Sequence, residues 1–194
     1  MDIKILLAIV SSIIGVLAYA PYLRDIFRLK TKPHVYTWLI WVITQGTAVY
    51  AIWYGGGSWG ALSLTLMLLL IFIVFLFSLK HGTKNITKSD TFVLILAILA
   101  ILVWWQLHQP VISVLMVTAA DLFGYIPTFR KSYYEPWSET LSFWFLTVLS
   151  NITTIVALQE YNLLTLTYVV SIATANLSLL LLCFFRRQFV KKPK

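Results

Sequence analysis

One carboxylate lies deep within a long apolar stretch of this sequence. Asp121 precedes Arg130 by nine residues, which is about 13 Å along an α-helix. If Arg130 marks the edge of an apolar layer, Asp121 lies near its centre. An ionisable group at that depth costs at least about 2.5–3.5 kcal/mol, so we expect it to carry a proton, bind a cationic solute group or coordinate Na⁺. The alternative is a hydrogen-bonded aspartate that locks two helices together.

Neutral polar side chains are predicted at a similar depth in other apolar segments. They are Gln45, Asn151, Thr174 and Asn176. Such residues commonly form hydrogen bonds between membrane helices, which is one interpretation of each. Their common depth also predicts a shared polar site, and both interpretations stay open.

The residues needed for an enzyme are missing. The histidines His34, His81 and His108 are expected in loops or at helix ends, so no buried pair is available for haem or metal. Asp121 is the only carboxylate expected near mid-membrane, whereas an aspartyl protease needs two. The run 55–57 is Gly-Gly-Gly without the Gly-Lys-Ser/Thr ending of a phosphate-binding loop. We therefore expect no enzymatic activity, no cofactor and no metal site.

Composition predicts what surrounds these residues. Hydrophobic residues make up 60% of the 194 residues and charged residues only 11%, whereas a soluble domain is about 45–50% apolar. The mean hydropathy is +0.85. These values predict an integral membrane protein. The single cysteine, Cys183, excludes an internal disulfide.

The apolar segments have the length of membrane-spanning helices. A hydrocarbon core about 30 Å thick needs roughly 20 apolar residues. The sequence predicts an all-α integral membrane fold of seven transmembrane helices joined by short turns. Their approximate ranges are 3–28, 34–54, 58–79, 90–106, 109–130, 137–158 and 162–186.

Basic residues predict the orientation of these helices. Lys and Arg collect in cytoplasmic loops, and 14 of the 15 fall on one side of this topology, with only Lys4 on the other. We expect the N-terminus outside and the C-terminus in the cytoplasm. The net charge of +8 then reflects topology and attraction to lipid headgroups, so no nucleic-acid partner is expected.

A proline motif occurs twice, each time near the basic end of an apolar segment. Ala20-Pro21-Tyr22-Leu23-Arg24 is followed 106 residues later by Ile126-Pro127-Thr128-Phe129-Arg130. Because proline removes an interior helical hydrogen bond, we expect Pro21 and Pro127 to be hinges that break the first and fifth helices.

Further matches follow each motif in a slowly drifting register. Trp41 matches Trp144 at a shift of 103, and the run 62–65 matches 164–167 at a shift of 102. Such a register predicts a duplicated three-helix unit. Residues 1–80 and 109–194 would form two parallel bundles related by a pseudo-twofold axis along the membrane normal. Residues 81–108 would form a linker with the fourth helix.

The chain resembles the SWEET and PQ-loop transporters over nearly its whole length. The resemblance lies in a proline with a basic stretch, Pro21 to Lys32 and Pro127 to Lys131, and in Trp41 and Trp144 of the second helices. The glutamine of the PQ dipeptide is absent. The sequence is also similar to short bacterial PQ-loop-like membrane proteins that share stretches such as 32–34, Lys-Pro-His. This resemblance implies the bacterial inner membrane.

The resemblance also implies a solute site between the repeats. By position, Trp41, Trp144 and Asn176 would line it, and Val74 replaces a second asparagine, so we expect an asymmetric site. The predicted substrate-binding residues are Trp41, Gln45, Asp121, Trp144, Asn151 and Asn176.

We expect a facilitator or proton-coupled carrier of a small polar solute, in which protonation of Asp121 alternates with solute binding. The alternatives are a receptor or interaction protein with the same fold, or a structural subunit. Each of these three functions is compatible with a homo-oligomer.

Overall fold

Seven α-helices form most of the chain. The structure is a computed structural model that describes residues 3–54, 60–106, 110–158 and 161–192. In those ranges the helices are α1 Ile3–Phe27, α2 Val35–Tyr54, α3 Gly60–His81, α4 Lys88–Gln106, α5 Pro110–Tyr134, α6 Leu141–Ala157 and α7 Leu163–Phe189, with a 3-10 turn at Pro136–Ser138. The predicted all-α fold and its seven helices are confirmed, and each helix end lies within four residues of its predicted position. The glycine run 55–57 and His108 lie outside the described residues.

The turn between α1 and α2 shows how local sequence ends a helix. Leu29 has a positive φ of 56°, and the N–H groups of Lys30 and Thr31 donate to the Asp25 carbonyl oxygen at 2.9 and 3.1 Å. A left-handed residue with such back-bonding is a common helix C-terminus. Pro33 then disfavours a helical conformation in the residue before it, so α2 begins only at Val35.

Two helices are long and apolar enough to cross a membrane. They are Ile3–Phe27, with a mean hydropathy of 2.2, and the segment Leu166–Phe189 of α7, with 2.0. Thr65–His81 and Leu141–Ala157 are shorter apolar helices. This search covers only the residues that the structure describes. A signal sequence or the buried core helix of a soluble protein meets the same criteria, so the result by itself is weak support for a membrane location.

The helices pack in a pattern that repeats. α3 packs against both α1 and α2, and α7 packs against both α5 and α6. Between these groups, α1 contacts α6 and α2 contacts α5. α4 packs against α5 and α2.

The two prolines lie inside continuous helices. α1 extends six residues beyond Pro21, and α5 extends seven residues beyond Pro127. The expected breaks in these helices are therefore absent. Each proline still lacks an N–H group, so one carbonyl oxygen in the preceding turn has no helical donor.

An aromatic cluster joins α1, α2 and α6. The rings of Tyr22 and Phe143 lie 4.4 Å apart, and those of Tyr22 and Trp38 lie 5.3 Å apart. Tyr19 makes an edge contact with Phe143 at 5.3 Å. Offset and edge-to-face pairs add about 0.5–1.5 kcal/mol each beyond the burial of their area. Tyr22 is thus a core residue.

Asp121 is not the only buried carboxylate. Asp90 and Glu139 are 1% and 2% exposed, but both have cationic partners. They lie at the end of the molecule where nearly all Lys and Arg residues are found, which we call the basic end. Arg130 forms a bidentate pair with Asp90 at 2.6 and 2.9 Å, and Lys131 pairs with Glu139. The Asp90 pair attaches α4 to α5.

His34 is buried beside the Asp90 pair, in the loop before α2. Its Nε2 lies 3.4 Å from Asp90 Oδ2, and neither ring nitrogen has a hydrogen-bond partner among the described residues. Burial lowers the pKa of His34 from 6.5 to about 4, because desolvation of the imidazolium outweighs attraction by Asp90.

We expect acid to destabilise the fold through His34. Between pH 6.5 and about 4, the unfolded chain binds a proton that the folded chain does not, so the free energy of unfolding falls as pH is lowered through that range. The loss reaches at most about 3 kcal/mol at pH 4. His34→Gln, which does not titrate, should lose less stability than wild type in thermal unfolding at pH 7 and pH 4.5. Equal losses in the two proteins would contradict this role of His34.

Candidate functional site

A cavity of about 180 Å³ lies among six of the seven helices. Every helix except α4 contributes to its described lining. The side chains that carry polar or aromatic groups into it are Tyr19, Trp41, Gln45, Asp121, Tyr125, Phe143, Trp144, Thr147, Ser150, Asn151, Tyr168 and Asn176. The cavity is therefore formed by helices that are distant in sequence.

The six residues predicted to bind a solute all line this cavity. They are Trp41, Gln45, Asp121, Trp144, Asn151 and Asn176. Thr174 was expected at the same depth, but it is exposed and its hydroxyl donates to the Val170 carbonyl oxygen at 2.8 Å. Solute binding by the six residues stays a prediction.

Asp121 is only partly satisfied by the protein. Its side chain is nearly fully buried, at 3% exposure. Its Oδ2 accepts a hydrogen bond from the Tyr168 hydroxyl at 2.6 Å, and Gln45 Nε2 donates to that hydroxyl at 3.0 Å. Asp121 Oδ1 has no hydrogen-bond partner in the part of the chain that the structure describes. The Tyr168 bond links α5 to α7, as expected for a helix lock, but it leaves Oδ1 of a cavity-lining residue unpaired among the described residues.

Trp41 closes one side of the cavity by packing against α5. Its indole N–H points to the Asp121 carbonyl oxygen at 3.4 Å, and its ring lies 4.8 Å from that of Tyr125 in an edge arrangement. This approach depends on Gly124. A Cβ at Gly124 would lie 2.9 Å from Trp41 Nε1 and 3.3 Å from Ile40 Cγ2.

Trp144 connects the cavity to the basic end of the molecule. It is 1% exposed, and its indole N–H donates to Glu139 Oε2 at 2.9 Å. The other Glu139 oxygen pairs with Lys131, whose ammonium also donates to the Lys32 carbonyl oxygen at 2.7 Å. A cavity wall is therefore linked to a buried ion pair through one side chain.

The two asparagines differ in how they are bonded. Asn176 Oδ1 accepts a hydrogen bond from the Tyr125 hydroxyl at 2.7 Å. Asn151 Nδ2 is buried without a partner among the described residues. Val74, the residue that matches Asn176 in the first half, is fully buried in the apolar core. The polar groups of the cavity are consequently unsymmetrical.

Hydrogen bonds between hydroxyl groups link the two halves of the chain on the basic side of the cavity. The hydroxyls of Thr37 in α2 and Thr128 in α5 lie 2.8 Å apart. Farther out, the hydroxyls of Thr31 and Thr140 bond each other, and Thr140 also donates to Asp25 Oδ2 at 3.1 Å. These buried bonds join the first three helices to the last three.

Sequence reasoning missed Tyr168 and Tyr125. Residues four apart share a helix face, and this spacing links Asp121 to Tyr125 and places Tyr168 two such steps before Asn176. The spacing therefore indicates that Tyr125 shares a helix face with Asp121 and that Tyr168 shares one with Asn176. It does not predict which helix faces pack against each other.

Comparison with protein-family models, with curated proteins and with solved structures finds no match to this chain.

We expect Gly124→Ala to destabilise the protein by displacing Trp41. Overpacking of this kind costs about 1–3 kcal/mol. Gly46→Ala is a matched control, because a Cβ at Gly46 in α2 would meet no atom within 4 Å. Thermal unfolding followed by tryptophan fluorescence should give a lower Tm for Gly124→Ala and an unchanged or higher Tm for Gly46→Ala. A Gly124→Ala protein as stable as Gly46→Ala would contradict the close approach of Trp41.

Proposed function

We propose that the chain is an integral membrane protein whose seven helices all cross the bilayer, with the N-terminus outside and the C-terminus in the cytoplasm. Support comes from the 60% share of hydrophobic residues and from the two long apolar helices at the ends of the chain. The one-sided distribution of Lys and Arg supports the orientation. The bacterial inner membrane follows from the resemblance alone.

The packing pattern supports two three-helix repeats joined by α4, and the basic residues in the last turns of both α1 and α5 favour a parallel relation between them. If the two halves are equivalent, α1 corresponds to α5, α2 to α6 and α3 to α7. The α1–α6 contact then corresponds to the α5–α2 contact, and both contacts exist. The packing of α3 on α1 and α2 likewise corresponds to that of α7 on α5 and α6. A twofold relation between the halves has this property.

The proposed activity is transport of a small polar solute by alternating access. The observation that carries it is a cavity formed by all six helices of the two repeats, with a half-satisfied carboxylate and a free amide donor in its wall. The Thr37–Thr128 and Thr31–Thr140 bonds would form the closed inner gate. Rocking of the repeats would break these bonds and expose the cavity to the cytoplasm.

Asp121 is the proposed coupling group. A carboxyl group in the cavity holds a proton in one state and accepts bonds from a solute in the other, so alternation between the two couples solute movement to the proton gradient. Tyr168 donates to Oδ2, and Oδ1, which has no partner among the described residues, is the oxygen that would exchange its partner. Pro21 and Pro127 would supply bending points, since each leaves one helical hydrogen bond unmade.

Access to the cavity from both sides of the membrane tests this function without knowledge of the solute. Thr147 lines the cavity, and Thr147→Cys in a Cys183→Ala background supplies one thiol there. A small membrane-impermeant methanethiosulfonate should modify it in both right-side-out and inside-out vesicles. The matched control is Ala97→Cys, at a fully buried position in α4 outside the cavity lining, which should resist modification from either side.

Modification of Thr147→Cys from one side only would contradict transport. It would favour the second candidate function, a receptor or interaction protein of the same fold. A groove of about 830 Å³ at the basic end supports that alternative. Its acidic residues already have partners in the protein, for example Asp25 with Thr140 and Glu139 with Lys131. Its basic residues, Lys30, Lys32, Arg187, Lys191 and Lys192, give it an excess of positive charge.

A further inference from the structure

Two buried polar atoms of residues that line the central cavity have no partner in the part of the chain that the structure describes, and they are of opposite kinds. Asp121 Oδ1 is a hydrogen-bond acceptor and Asn151 Nδ2 is a donor, and neither finds a partner among the described residues. Leaving a buried polar group unsatisfied costs about 1–3 kcal/mol. Both atoms belong to residues that line the same cavity, so a ligand that fits it should supply a donor to one and an acceptor to the other.

The donors beside Asp121 leave the bonding of Oδ1 incomplete. The Tyr168 hydroxyl occupies Oδ2. The Thr44 hydroxyl interacts with the carboxyl group, but it also lies 3.3 Å from the Trp41 carbonyl oxygen, to which it donates. Oδ1 has no hydrogen-bond partner at bonding distance among the described residues, so a donor on a ligand can complete its bonding.

The charge of the cavity lining favours a ligand with a positive charge. Its described lining contains Asp121 and no Lys, Arg or His. The other titratable groups that face Asp121 are the hydroxyls of Tyr125 and Tyr168. α4, which also packs on α5, is entirely apolar over residues 92–103. A carboxylate in this low-dielectric surrounding attracts a cation strongly and repels an anion.

The walls of the cavity also favour a cation. The rings of Trp41, Tyr125 and Trp144 line it, with Tyr125 4.8 Å from Trp41 and 6.3 Å from Trp144. Aromatic faces attract ammonium groups by about 0.5–2 kcal/mol. The cavity volume of about 180 Å³ equals that of roughly six waters in the liquid, so a ligand with few non-hydrogen atoms fits it.

We propose that the solute is a small primary amine with a hydroxyl or carbonyl oxygen. Its ammonium group binds Asp121 Oδ1 among the aromatic rings, and its oxygen accepts a hydrogen bond from Asn151 Nδ2. This assignment rests on the proposed transport function of the same cavity. A carboxylate on the solute weakens binding, since no cationic side chain of the described lining would pair with it.

Calorimetric titration of the purified full-length protein tests this solute class with four probes of similar size. Ethanolamine has both recognised groups, propylamine lacks the oxygen, ethylene glycol lacks the charge, and glycolate has the opposite charge. We expect ethanolamine to bind most tightly, propylamine about tenfold more weakly because Asn151 stays unpaired, and the other two not to bind.

Two substitutions separate the contacts. Asp121→Asn should weaken ethanolamine binding at least tenfold. The matched control is Glu135→Gln, which also converts a carboxylate to an amide but lies at the basic end, and it should leave ethanolamine binding unaltered. Asn151→Leu should bring ethanolamine down to the affinity of propylamine while leaving propylamine unaffected. If Asp121→Asn fails to fold, the wild-type comparison of ethanolamine with ethylene glycol and the Asn151→Leu result decide the question.

The outcomes distinguish the solute class from the transport function. Absence of amine binding, or binding of ethylene glycol or glycolate as tight as that of ethanolamine, would overturn the amine assignment even if the cavity is reached from both sides. Ethanolamine binding that depends on Asp121 in a protein whose cavity is reached from one side only would support the amine assignment and overturn transport.

Discussion

The rest of the central site depends on Asp121, a buried carboxylate of which only Oδ2 has a hydrogen-bond partner among the described residues. Burying Asp121 among apolar helices is costly, and the Gln45–Tyr168 chain offsets part of that cost through one oxygen. The aromatic residues and the asparagines Asn151 and Asn176 line the same cavity as Asp121, and Gly124 allows the close approach of Trp41. A group held for stability alone would be expected to have both oxygens bonded.

Two other buried carboxylates, at the basic end of the molecule, have hydrogen-bond partners on both oxygens. Asp90 accepts two bonds from Arg130 and is approached by His34. Glu139 is bonded on both oxygens, by Lys131 and Trp144. Removing one partner of such a pair strands a buried charge and costs about 3–5 kcal/mol. These pairs fix α4 and the α5–α6 connection, whereas Asp121 is left able to change its partner.

The helices and the candidate residues could be predicted because depth along a helix follows from sequence position. Apolar runs of about 20 residues set the seven elements. A common depth selected Gln45, Asp121, Asn151 and Asn176, the resemblance supplied Trp41 and Trp144, and all six line the cavity. The partners could not be predicted, because Asp90 with Arg130 and Tyr168 with Asp121 are 40 and 47 residues apart. Such pairs depend on which helix faces meet. The continuous helices through Pro21 and Pro127 were missed because flanking turns maintain a helix around one missing bond.

The most direct test of the account is the infrared difference spectrum of the protein in membranes between alkaline and acidic pH. Subtracting the Asp121→Asn difference spectrum from that of wild type removes the signal of the other six acidic residues. The account predicts a remaining band of a protonated carboxyl group that grows as pH falls and shifts when the Tyr168 donor is removed by Tyr168→Phe. A double-difference spectrum without any carboxyl band would show that Asp121 does not exchange its proton with water, and would contradict its role as the coupling group.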